Sequence, residues 1–282
     1  MDKLICMKII NSFLLLLFFA LNVKAEENTY TGSTPADSVI RLFLRIPLKD
    51  SIDFIRWQLI LDDKHYTLNC NYGISKPNTN GFINGGKKIM LAGAVSKEKN
   101  YYRLQNQDKS LKIAEINRNL LQLLDTANNL LAGNSGWSYT LNNIAPVATD
   151  NVKLIAQQTV LKDSITFEGR TPCGVPGVIP EGTLCYKLKW LIILYPKAAE
   201  IVRGTYKVIG TAYRKNGGRT GTWKSVTGKN GSITYQLNDE NGNSFLYLLK
   251  LDENVLIFTD EHGNLLVGDE DFSYTMNKVN KR

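Results

Sequence analysis

The stretch NLLAGNSGWSYTLN, Asn129 to Asn142, recurs near the end of the chain as NLLVGDEDFSYTMN, Asn264 to Asn277. Eight of the fourteen positions are identical at a displacement of 135, and three of the differences (Ala for Val, Trp for Phe, Leu for Met) keep apolar character. The match extends in both directions. YTGSTPA at Tyr30 answers FEGRTPC at Phe167, displaced by 137, and WQLIL at Trp57 answers WLIIL at Trp190, displaced by 133. Three anchors in the same order at nearly constant displacement define two copies of one domain, residues 30–142 and 167–277, joined by a linker at 143–166. Two copies of this size make a duplicated globular domain rather than a solenoid.

Each copy reads as antiparallel β. In CYKLKWLIILY, Tyr186, Leu188 and Trp190 alternate with Lys187 and Lys189, the period of a strand. The segments TYKVIGTAYR, TGTWKS, SITYQL, SFLYLLKL, NVLIF and FSYTMN follow, separated by KNGG, GKNG, NDENGN, LDEN and DEHGN. Those connections supply the Gly and Asn that tight hairpins need. Seven or eight short strands without a long crossover predict a meander that closes into a small barrel, which removes exposed edges. The fold class is therefore all-β: two tandem, small, antiparallel meander barrels packed together, their interiors mostly filled by aromatics. In this reading LLVG is a strand leaving the DEHGN turn and FSYTMN is the strand that completes the barrel. NLLQLLD and NVLIFTD occupy equivalent strands and are apolar on both faces, which predicts that the barrels cover these strands mutually in a pseudo-twofold arrangement. In the first copy only, Thr34-Pro35-Ala36-Asp37 reads as a helix start, with Thr34 as cap and ADSVIRLFLRI as one short helix ended by Pro47. Pro176 and Gly177 forbid that helix in the second copy.

Residues 1–25 read as an export signal: Lys3 and Lys8, the apolar run SFLLLLFFAL, and small residues in VKA at Val23 to Ala25. Met7 opens an equally good signal. Cleavage after Ala25 lowers the net charge from +8 to +6. No cysteine follows the apolar run, so no lipid anchor is expected, and no second segment approaches the length of a membrane span. The expectation is an exported protein of the periplasm or cell surface. Export suits Cys173 and Cys185, twelve residues apart across a Pro/Gly-rich loop in a compartment that permits disulfides. A disulfide staple is the favoured reading, with two unpaired thiols as the alternative. Cys70 is expected as a buried thiol near a strand end.

No catalytic chemistry is expected. His65 and His262 both fall in or beside predicted turns, and neither belongs to a nucleophile elbow, a zinc-protease motif or a phosphate loop. Asp260-Glu261 and Asp269-Glu270-Asp271 lie in hairpin loops, where solvation explains them. From Arg203 to Lys229 there are seven basic residues and no acid, whereas nine acids and one Lys fall between Asp239 and Asp271. Arg203, Lys207, Tyr213, Arg214, Lys215, Arg219, Trp223 and Lys224 form a candidate basic–aromatic patch for an anionic glycan or lipid headgroup. The alternative is that these are the solvated faces of strands. A protein partner is a further option, and nucleic acid is not expected for an exported chain.

At FEGRTPC, WLIILY, GTYK, GTW and FTDEHGNLL the chain resembles the NlpE-like family of bacterial envelope barrels. It also resembles a duplicated form found among exported Bacteroidota proteins. The resemblance covers most of the second copy and, more faintly, the first. It implies a small envelope barrel connected with copper resistance and surface-stress signalling. Family members carry Pro-Cys-x-x-Cys, a soft-metal or redox pair. Here Cys173 is followed by GVP, the next cysteine is Cys185, and the first copy has Ala36 instead. Copper handling through Cys173 and Cys185, with His262 and Met276 as further soft or borderline donors, is thus the alternative to a non-enzymatic binding protein. A thiol oxidoreductase is a third class, for which the twelve-residue spacing argues poorly.

Overall fold

A computed structural model describes residues 28–279, apart from 155, 157–162, 181, 198–199 and 214–216. The export signal expected at residues 1–25 lies outside the described residues, as do Arg214 and Lys215 of the basic patch. Sixteen strands form two closed antiparallel barrels of eight. The first comprises β1 (Asn28–Pro35), β2 (Phe54–Leu61), β3 (His65–Gly73), β4 (Lys87–Glu98), β5 (Tyr101–Asn106), β6 (Lys109–Asn117), β7 (Leu120–Leu123) and β8 (Thr140–Asn143). The second comprises β9 (Ile165–Thr171), β10 (Leu188–Lys197), β11 (Glu200–Gly210), β12 (Arg219–Thr227), β13 (Ile233–Asn238), β14 (Ser244–Lys250), β15 (Val255–Thr259) and β16 (Thr275–Val279). Each is a meander whose last strand returns to the first: β8 pairs with β1 at Tyr30 and Thr31, and β16 pairs with β9 from Thr166 to Glu168.

The repeated Gly-x-Thr-Pro motif has a mechanical explanation. Gly32 faces Trp57 across β1–β2, and Gly169 faces Trp190 across β9–β10. A Cβ on Gly32 would lie 2.9 Å from the carbonyl oxygen of Thr140, and one on Gly169 would lie 2.7 Å from that of Thr275. Glycine is what lets the closing strand cross here. Each tryptophan then donates its indole N–H to the threonine two residues after the glycine, Trp57 to Thr34 and Trp190 to Thr171, at 2.9 Å in both barrels. Each threonine hydroxyl passes its own proton to the following proline carbonyl. The indoles are buried with their one polar atom satisfied.

That use of Thr34 moves the helix start. Pro35 remains in β1, opposite Phe54, and helix α1 spans Ser38–Phe43 with Asp37, not Thr34, as its cap. The Asp37 carboxylate accepts the Ile40 N–H at 3.0 Å and the Tyr139 hydroxyl at 2.9 Å. The helix also ends well before Pro47, because Arg45 turns into the left-handed region at φ 57°. Ile40 and Phe43 plug the first core. In the second barrel the corresponding stretch is a loop closed by a Cys173–Cys185 disulfide, with Cα atoms 6.0 Å apart. Val175 and Val178 of that loop cover the second core.

The repeated closing segment is not continuous strand. Leu130 and Leu265 each make a single bridge, to Leu124 and Thr259, and regular pairing resumes only at Thr140 and Thr275. Between them the backbone is captured by a side chain. The Asn134 carbonyl takes the N–H groups of Gly136 and Trp137 at 2.8 and 2.9 Å, and the Asp269 carboxylate takes those of Asp271 and Phe272 at 2.9 and 2.8 Å. Such Asx turns compete with a ladder.

Candidate functional site

Strands β7 and β15 are buried on both faces. One face completes each barrel core, and the other joins the two barrels. Ile116 and Leu120 meet Leu249, Leu251, Val255, Ile257 and Leu265 in a third apolar cluster between the barrels. The twin segments clasp beside it in a reciprocal pattern. Gly133 N–H donates to Asn277 Oδ1 at 2.7 Å, and Gly268 N–H donates to Asn142 Oδ1 at 2.9 Å. Ser138 meets Ser273 at 2.5 Å, and Thr140 meets Thr275 at 2.8 Å. Thr140 gives its proton to Gln122 at 2.6 Å, so Thr275 is the donor in that pair. Residue i touching the twin of j, and j the twin of i, is the mark of a twofold contact. It forms here within one chain.

The loops that precede the clasps reach across. The 133–137 loop lies on the second barrel, where Ser135 bonds Glu168 and Trp137 lies under the Arg170 guanidinium at 5.7 Å. The 268–272 loop lies on the first, where Ser33 donates to the Glu270 carbonyl at 2.7 Å and Asp271 binds Arg56 and Asn80. This second crossing roofs the end of a cleft of about 930 Å³. The cleft's wall is the outer face of β2, β3 and β4. Gln58, Asn69 and Met90 form one cross-strand row, and Arg56, Asn71 and Lys88 form the next. The Asn69 amide donates to Gln58 at 3.3 Å and the Asn71 amide to the Gly85 carbonyl at 3.1 Å. Ile144, Pro146 and Val267 give an apolar rim. Asp271 takes up the charge of Arg56, and the cleft presents the neutral amides of Gln58, Asn69 and Asn71 with apolar borders, together with Lys88 on the wall and Asp269 and Glu270 in the roof. Such a lining hydrogen-bonds hydroxyls and peptide groups. A second cleft of about 670 Å³ lies on the other barrel between the linker at 149–152 and β13–β15, and its lining includes His262 and Tyr247.

The basic patch is divided by strand alternation. Arg203 and Lys224 are paired and exposed on the outside of β11 and β12, and Lys207 lies outward beside Thr220. Trp223 points the other way and is buried in the second core. Arg219 stacks on Phe245 at 3.9 Å, with Tyr213 beside it, and reaches Asp239 at 3.4 Å. The aromatic half of the expected patch is thus interior packing, and Arg219 joins the basic and acidic hairpins.

The two sulfurs proposed as soft-metal ligands are bonded to each other. His262 sits in an exposed turn held by the Asp260 carboxylate, while Met276 is fully buried in the barrel core. Among the described residues no three His, Cys, Asp or Glu side chains converge. Cys70 is buried on β3, and burial pushes its thiol pKa well above the usual range. Among the described residues no helix is long and apolar enough to cross a membrane. No family model matches the chain and no curated protein matches it.

The amide-lined cleft was not anticipated. Its signal is present as the polar face of three successive strands (Arg56 and Gln58, Asn69 and Asn71, Lys88 and Met90), but that alternation reads as an ordinary solvated surface. Only the approach of 267–270 from the other barrel turns the surface into a cleft.

Proposed function

We propose that this is an exported, non-enzymatic binding protein of the bacterial cell envelope, whose ligand lies in the cleft between the barrels. The observation that carries this reading is the cleft itself: about 930 Å³, walled by both repeats and lined by Gln58, Asn69 and Asn71 beside Met90 and Ile144. That volume is in the range of small-molecule and glycan sites. The three amides, with Lys88 set against Asp269 and Glu270 in the same lining, favour a hydroxyl-rich or peptide-like ligand over an anionic headgroup. The disulfide supports an oxidising compartment, in keeping with the leader-like N-terminus.

Native mass spectrometry on protein isolated from its own envelope tests the reading. The expected species begins at Glu26, after the leader is removed, and carries a neutral envelope glycan or peptide that the Asn69→Ala, Gln58→Ala double variant loses. A protein retained in the cytoplasm, or a bare mass unchanged by saturating envelope extract, would overturn it.

A further inference from the structure

We propose that the first barrel carries an open strand edge, residues 87–92 of β4, which pairs antiparallel with the same edge of a second copy of this chain. The barrel closes topologically, yet its β4–β5 seam is zipped over only four residue pairs, from Val95 with Leu104 to Glu98 with Tyr101. On its other side β4 pairs with β3 from Lys87 through Ala94. The counterpart strand β12 pairs with β13 from Thr222 through Thr227 and leaves only 219–221 without that neighbour, so the gap is much wider in the first barrel. No backbone hydrogen bond from a described turn or loop reaches residues 87–92 on the open side. Alternate peptide groups there face solvent, the condition in which a sheet recruits another strand.

The side chains carry the same message. Met90 is 76% exposed. Ile89 and Leu91 face the core opposite Cys70 and Leu68, but they are only partly covered because no strand lies over them. The edge, KKIMLA, contains neither Pro nor Gly, and of its two lysines Lys87 is engaged by Asp50 at 3.1 Å.

The occupant follows from register. Directly opposed residues of an antiparallel pair share a face, so a twofold pairing centred on Met90 sets Met90 against its counterpart, Ile89 against Leu91 and Lys88 against Ala92. Apolar residues then meet apolar ones, and no like charges are opposed. Centring on Lys88 would oppose lysine to lysine. The edge is therefore complementary to itself, and pairing gives Ile89 and Leu91 the neighbours that β5 withholds. Lys88, Ile89 and Met90 also line the cleft, so the test reads self-association and amide protection of the purified protein without added ligand, and its outcome is separate from whether the cleft binds one.

Sedimentation and hydrogen exchange on the purified protein test it together. An interface built on one strand pair is at the small end of specific contacts, so dimer is expected at concentrations on the order of tens of micromolar. Amides in 87–92 should become protected as concentration rises. Met90→Lys, at an exposed position that leaves the fold intact, should raise the dimer dissociation constant about tenfold or more, since it opposes two charges at the axis. Met90→Cys should cross-link on mild oxidation. Ser96→Cys, about 40 Å from its counterpart in this register, should not. A monomer at every concentration with unprotected 87–92 amides overturns the proposal, as does a dimer that Met90→Lys leaves unchanged. Concentration-independent protection of these amides in a monomer bound to another protein's segment also overturns it, in favour of strand donation by that partner.

Discussion

The smallest unit of this fold that explains a sequence motif is the threonine–tryptophan pair. Thr171 accepts the buried Trp190 indole N–H at 2.9 Å. Thr171→Val keeps the shape of the side chain and leaves that donor unpaired, so it should lower stability by about 1–3 kcal/mol. Thr34→Val should do the same to Trp57 in the first barrel, and urea unfolding of both variants checks the equivalence. The buried tyrosines set the alkaline limit. Burial, then repulsion from Asp37, pushes the Tyr139 hydroxyl far above its ordinary value, and burial pushes Tyr235 up to about 12. A raised folded-state pKa means that the native chain holds its proton more tightly than the unfolded one. This stability is therefore complete below the unfolded value of about 10 and is lost as pH rises through the folded one. Unfolding free energy should fall steeply above about pH 10, and Tyr139→Phe should flatten that fall. A stability profile level to higher pH would contradict it.

Among the elements, the twin closing segments have the most to explain. Their odd face, Ser138 and Thr140 in one copy and Ser273 and Thr275 in the other, is polar yet buried, because each copy finds its partner in the other. Asn142→Ala removes the acceptor for Gly268 N–H, and Asn277→Ala removes the one for Gly133 N–H. Each should cost about 1–3 kcal/mol, the range for leaving a largely buried donor unsatisfied. The two losses should be similar in size and should combine less than additively, because they loosen one clasp. A double-mutant cycle by chemical unfolding measures this. The Cys173–Cys185 staple closes a short loop over the second core, so its reduction should cost about 2–3 kcal/mol. The loss should be seen as earlier urea unfolding of the chain as a whole, because the first barrel leans on the second through their shared apolar cluster.

At the scale of the whole molecule, the apolar cluster of Leu120, Leu249, Val255 and Ile257 makes the barrels mutually dependent. Residues 28–143 and 165–279 expressed separately should each expose this face, aggregate or unfold at lower denaturant, and regain stability when mixed. Fully stable, soluble halves would refute that dependence. The duplication, the all-β class and the cover over β7 and β15 were legible because they rest on local signals: a repeated string, a two-residue period, turn residues, and a strand apolar on both sides. The disulfide was legible from two cysteines flanking a turn-rich loop. What the residues alone misplaced was always a competition between a local pattern and a distant partner. Thr34 has the chemistry of a helix cap, but a tryptophan on the next strand takes its hydroxyl. Trp223 and Arg219 share one face of β12 while Lys224 takes the other, and the second core and Phe245, which lie far off in the chain, claim that first face. Period, turn chemistry and repeat are properties of neighbouring residues, so the sequence by itself determined the two barrels and their tandem order. The buried polar clasp, the amide-lined cleft and the unzipped edge of β4 arise where segments far apart in the chain meet or fail to meet, and only the tertiary structure decided them.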